Sequence, residues 1–146
     1  MPDEFINHMK HTDLSCGAVK INCAIDKLPN FKCIPNDPSG KAGPQHFGTI
    51  HFETEMEQLE EGYRDAALGI PAKRPIVEMT IPSSLDSTIS PPGKHVAQLF
   101  VQYAPYDLDP AHGDWADPAF VRNVWAVCVS CSLFCFVFPF FSFRLS

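Results

Sequence analysis

The 146-residue sequence predicts an α+β fold, a mostly antiparallel sheet covered by one main helix and followed by an apolar tail. Three observations lead there. Apolar residues alternate with polar ones in short runs, which is the period of a half-buried strand. Between those runs one segment changes to helical spacing. Beyond it, near the C-terminus, charge disappears.

Val19, Ile21, Cys23 and Ile25 alternate with Lys20, Asn22, Ala24 and Asp26, so one strand face is apolar and the other polar. Leu28-Pro29-Asn30 ends that strand, and a Pro/Gly/Asn-rich loop follows from Pro35 to Pro44. Phe47 to Phe52 forms a second, short strand. Thr54 and Glu57 then have capping-box spacing, and Met56, Leu59, Tyr63, Ala66 and Ile70 recur at helical intervals. Gly69 and Pro71 supply the stop. Ile76 to Ile81 is a third strand with Val77, Met79 and Ile81 on one face. A loop from Pro82 to Gly93 leads to the longest β segment, His95 to Tyr103. Strand, strand, helix, strand, strand is an α+β order. The expected organisation is a lead-in over 1–14, a partial domain over 15–119 and an apolar tail over 120–146.

Composition narrows the function classes. Seventeen acidic and eleven basic side chains give a formal charge of -6. A nucleic-acid partner needs a basic stripe to neutralise phosphates, and Lys73-Arg74 is the one adjacent basic pair. No nucleic-acid partner is expected. Met1-Pro2-Asp3-Glu4 opens without the basic and apolar regions of a secretory signal. Six cysteines are therefore expected as thiols in a reducing compartment.

The last acidic residue is Asp117, and no charge occurs from Val124 to Phe143. Roughly 20 apolar residues suffice to cross a bilayer as a helix, and Arg122 and Arg144 flank this stretch. Pro139 would disturb such a helix. Three readings stay open: a membrane anchor, an apolar interaction or core segment, and sequence never selected for folding. Phe, Ser, Cys, Leu and Val share pyrimidine-rich codons, so translated intron would have this composition.

Chemistry-bearing motifs are few. A dinucleotide's diphosphate is usually held on Gly-x-Gly-x-x-Gly between a strand and a helix. The eight glycines never take that spacing, so no cofactor-binding residue is expected. Ser39-Gly40-Lys41 lacks the upstream glycine of a phosphate loop, and Ala42 stands where a metal-binding hydroxyl is needed. Cys128 and Cys131 have the spacing of a redox pair or half a zinc site, but Cys135 is too close to complete one. Alternation puts His46 and His51 on opposite faces, so no metal site is expected. Ser83, Asp86 and His95 are the residue types of a hydrolase triad without a nucleophile elbow, and Ser83-Ser84 after Pro82 reads as a turn. Lys20, with Asn22 on the same polar face, is either a solvent-facing strand lysine or a cation facing a cofactor cavity.

Longer runs carry a resemblance. Ala18-Val19-Lys20-Ile21-Asn22-Cys23-Ala24-Ile25-Asp26-Lys27-Leu28-Pro29-Asn30-Phe31 resembles a substrate-domain strand of FAD-dependent oxidoreductases related to phytoene desaturases and flavin amine oxidases. Arg74 to Asp86, Pro91-Pro92-Gly93-Lys94-His95-Val96 and Gln102-Tyr103-Ala104-Pro105-Tyr106 continue it in the same order. The resemblance covers Ser15 to Asp117. It implies a partial substrate domain, with FAD in full-length relatives and none held by this chain alone. The family's N-terminal dinucleotide fingerprint and C-terminal glycine-rich segment have no counterpart here, which favours a truncated gene product that is inactive alone. It implies a flavin-facing catalytic role for Lys20, and a mitochondrial matrix location for a full-length parent. The alternative is a non-catalytic module that uses the acidic domain to bind a protein and the Val124 to Phe143 stretch to contact a membrane.

Overall fold

The computed structural model describes residues 1–12 and 16–133. The expected 14/15 boundary and the tail beyond Leu133, with Cys135 and Pro139, lie outside the described residues. Four strands, β1 (Cys16–Ile25), β2 (Ile50–His51), β3 (Ile76–Thr80) and β4 (His95–Pro105), form one sheet in the order β1-β4-β3-β2. Every neighbouring pair is antiparallel. Three helices accompany it: α1 (Asp3–Lys10), α2 (Met56–Ala67) and α3 (Pro118–Leu133). The α+β class holds.

The alternation in β1 does what it predicts. Ile21 pairs with Leu99 and Cys23 with Ala97, while Leu99 pairs on its other side with Met79. Ile21, Cys23, Ile25, Val77, Met79, Ala97, Leu99 and Val101 therefore share one face and are buried. Each large aliphatic side chain removed from water contributes about 1.5–3 kcal/mol, so this face is the main source of stability. Leu28 and Phe31 from the segment after β1 cover one part of it, and Cys128 of α3 another. Near the start of β1 the register shifts between Gly17 and Val19. A Cβ at Gly17 would sit 2.5 Å from the Ala104 carbonyl oxygen. Only glycine permits that approach.

Helix α2 ends as expected. Gly69 has φ +73°, and the amides of Gly69 and Ile70 return to the carbonyls of Ala66 and Asp65. Its start differs. Glu55 is the N-cap and makes no side-chain cap bond, so the Thr54/Glu57 capping box is not formed. The helix packs on β4 and β3 through its small and polar residues. Gly62 lies beside Ala72 and Tyr103, and buried Gln58 donates through Nε2 to the Pro75 carbonyl at 3.1 Å. The apolar ridge of Met56, Leu59 and Tyr63 stays exposed, Met56 at 77%.

Two elements depart from expectation in extent. The strand expected over 47–52 pairs with β3 only at Ile50 and His51. Helix α3 begins at Pro118, before the expected 119/120 border, with Asp117 accepting from the Ala119 amide at 2.8 Å. Proline at the first helical position after an aspartate is a strong start signal. Val124, Trp125 and Cys128 of α3 pack on the core. Among the described residues no helix is long and apolar enough to cross a membrane. Helix α1, in the lead-in, buries no residue.

Candidate functional site: the open face of the sheet

The strand face opposite the core is polar and open beside β1. Register aligns Lys20, Phe100, Glu78 and His51 in one row across all four strands, and Asn22, Gln98 and Thr80 in the next. Lys20 and Asn22 are both exposed, as is Phe100 at 41%. Strand alternation alone produces this arrangement. A mid-strand cation therefore stands beside an aromatic ring on a solvent-exposed surface.

The described residues do not fit the diphosphate of a dinucleotide. Such a group needs free backbone amides and positive potential at a helix start. Helix α1 opens on Asp3 and Glu4, and α2 opens on Glu55 and Glu57. At α3 the Asp117 carboxylate already occupies the Ala119 amide. The turn into α2 is Phe52-Glu53-Thr54-Glu55, with no glycine. Glu53 there accepts from the Val77 amide and lies 3.1 Å from His51 Nδ1.

The other motif residues have structural roles. His46 is fully buried. Its Nδ1 accepts from the Gly43 amide at 3.0 Å, leaving Nε2 to donate to the Pro29 carbonyl at 2.9 Å. The ring also packs on Phe31 at 5.9 Å between centroids. His46 therefore pins the loop that covers the core, while His51 is exposed. Among the described residues no three His, Cys, Asp or Glu side chains gather as metal ligands. Cys128 is buried, and the side chain of Cys131 lies outside the described residues.

Ser83 and His95 do approach, with Oγ 3.5 Å from Nδ1. Residue type alone had grouped the two, and the turn and the strand that carry them meet only through the fold. The turn is the expected one, a 3-10 turn over Pro82–Ser84. Ser83 is buried, and its Oγ accepts the Val96 amide at 2.9 Å, tying the turn to β4. Asp86 takes the amide and hydroxyl of Thr88 at 2.9 and 2.6 Å and does not orient the imidazole. No triad forms.

Desolvation by burial holds the His95 pKa below its ordinary value, and electrostatic coupling to the His46 ring adds to the effect. The folded state thus binds this proton less readily than the unfolded chain. The resulting stability is complete above the unfolded value, about 6.5, and is lost as pH falls through the lower folded value. His95→Gln should flatten the thermal-melting profile just below about pH 6.5. Parallel melting curves for both proteins across that window would refute the assignment.

Comparison with known proteins decides the relationship. Over 109 residues, 74% of its length, the chain is 41% identical to a Mus musculus protein named pyridine nucleotide-disulfide oxidoreductase domain-containing protein 2. The chain is homologous to one segment of that protein. The Rattus norvegicus protein of the same name matches at 41% over 109 residues as well. The chain spans 19% of the length of each of these homologues. No protein-family profile matches it.

Proposed function

We propose that the chain is the sheet-bearing part of the substrate domain of an FAD-dependent oxidoreductase and does not hold the flavin unaided. The observation that carries this reading is the 41% identity, over 109 residues, to a protein whose name describes an oxidoreductase. The acidic helix starts support its second half, since they repel a diphosphate. The open sheet face is then the surface turned toward the flavin-bearing part of a whole protein, with Lys20 the residue placed to present positive charge there. A mitochondrial matrix location goes with the whole protein on this reading.

Purified chain incubated with FAD and passed through gel filtration should elute without flavin absorbance. Stoichiometric co-elution would overturn the proposal. For Lys20, a chimera is informative, in which residues 15–117 replace the homologous segment of the mouse protein. Lys20→Met in that chimera should lower turnover by roughly 10²-fold, the size of effect expected from removing one preorganised charge or donor. Unchanged turnover would remove Lys20 from the site.

The exposed ridge of Met56, Leu59 and Tyr63 favours a second reading, a non-catalytic module that docks on a protein partner. The chimera separates the two readings, because a module without a role in oxidation leaves turnover indifferent to Lys20.

A further inference from the structure

Behind the sheet, on the side away from Lys20, lies a cavity of about 370 Å³. Its floor is Val19 and Val101, from adjacent strands, and Tyr103 forms one wall. Phe120 and Val124 of α3 close it from above. The volume falls in the range of small-molecule sites, roughly 300–1,000 Å³.

Its most exposed lining side chains include polar ones. Lys73, His112 and Asn123 line the cavity and are exposed, whereas Val101 and Cys128 are buried. Charge there runs against the rest of the chain. In a polypeptide of net charge -6, the described residues that line the cavity include no carboxylate, and among them Lys73 carries a permanent charge. Asp65 is nearby but is engaged by the Lys73 backbone amide at 3.2 Å. None of the ion pairs among the described residues uses the Lys73 ammonium. An apolar chamber with a cationic mouth selects a molecule with one apolar body and one anionic end.

We propose that this cavity binds a monocarboxylate with an aliphatic tail, the tail between sheet and α3 and the carboxylate at Lys73. The site is separate from the sheet face discussed above and does not depend on the flavin assignment. The apolar tail follows from the side chains of Val19, Val101, Phe120 and Val124 that line the cavity. The carboxylate follows from Lys73 together with the donors available on Asn123 and His112.

The test uses the whole 146-residue chain and three probes of equal tail length: decanoate, decanol and decyltrimethylammonium. Calorimetric titration should show one decanoate per chain, bound about tenfold more tightly than the ammonium probe, with decanol between them. Lys73→Glu changes an exposed side chain and should reverse that order, while circular dichroism stays unchanged. Asn123→Trp, also exposed, should occlude the mouth and weaken all three probes together. Equal affinity for carboxylate and ammonium would overturn the proposal, as would absence of saturable decanoate binding. An unaltered preference in Lys73→Glu would overturn it too.

Discussion

Leu99→Ala should destabilise the chain by about 3 kcal/mol, the middle of the range for emptying a buried leucine site. Leu99 is 3% exposed and lies at the centre of the sheet, opposite Ile21 on one side and Met79 on the other. Truncation removes transfer free energy and leaves a void between strands that cannot close without breaking their ladder. The neighbouring residue provides the contrast. Phe100 points to the open face and is 41% exposed, so Phe100→Ala should cost less than about 1 kcal/mol. Urea denaturation with an unchanged m-value measures both. If the two variants lost equal stability, the assignment of the core to one face would fail.

His46→Leu should cost nearly as much, about 3 kcal/mol, for a different reason. The volume is roughly retained, but the Gly43 amide and the Pro29 carbonyl lose their partner. Each buried polar group left unsatisfied costs about 1–3 kcal/mol. The Ser84 hydroxyl bonds to the His46 backbone carbonyl at 2.7 Å, a contact the substitution leaves in place. The loss should therefore be confined to the loop over Phe31, with hydrogen exchange rising first there. His51→Leu, at an exposed position, should change stability by less than about 0.5 kcal/mol. Comparable losses in the two histidine variants would show that burial of the imidazole is not what holds the loop.

The strands and the main helix were legible because their signals are local. Val19 to Ile25 alternates without a break, and Gly69 supplies a left-handed turn that only the end of a helix needs. The start of α2 was misread because Thr54 fits the capping-box pattern, yet Glu53 beside it is drawn to the Val77 amide in the sheet. Tertiary pairing overrides the local option. Asp117-Pro118 was available as a helix start, but the change in composition a few residues later obscured it. Helix α1 has eight residues and buries none of them, so it leaves no core-facing periodicity to detect.

The site divides in the same way. The polar face bearing Lys20 follows from strand alternation, and its alignment with Phe100, Glu78 and His51 follows once the register is known. His46 was legible as an alternating residue but not as a peg, since its partners Gly43 and Pro29 are joined by a loop without periodicity. The cavity was invisible in sequence. Val19, Lys73, Val101 and Phe120 come from four separate stretches and meet only when the sheet and α3 pack together.

The order of strands also sets the order of events during synthesis. Strand β1 emerges early, but its only ladder partner among the described strands is β4. The contact between Lys94 and Asp26 at the end of that pair spans 68 positions. Contacts this remote in sequence slow folding, because the intervening chain must be ordered before the pairing offsets its entropy. The alternating segment of β1 must therefore wait, apolar side chains in water, while the rest of the domain is translated. A chaperone that shields that nascent strand should raise the yield of native protein, and one that acts after β4 has emerged should do less.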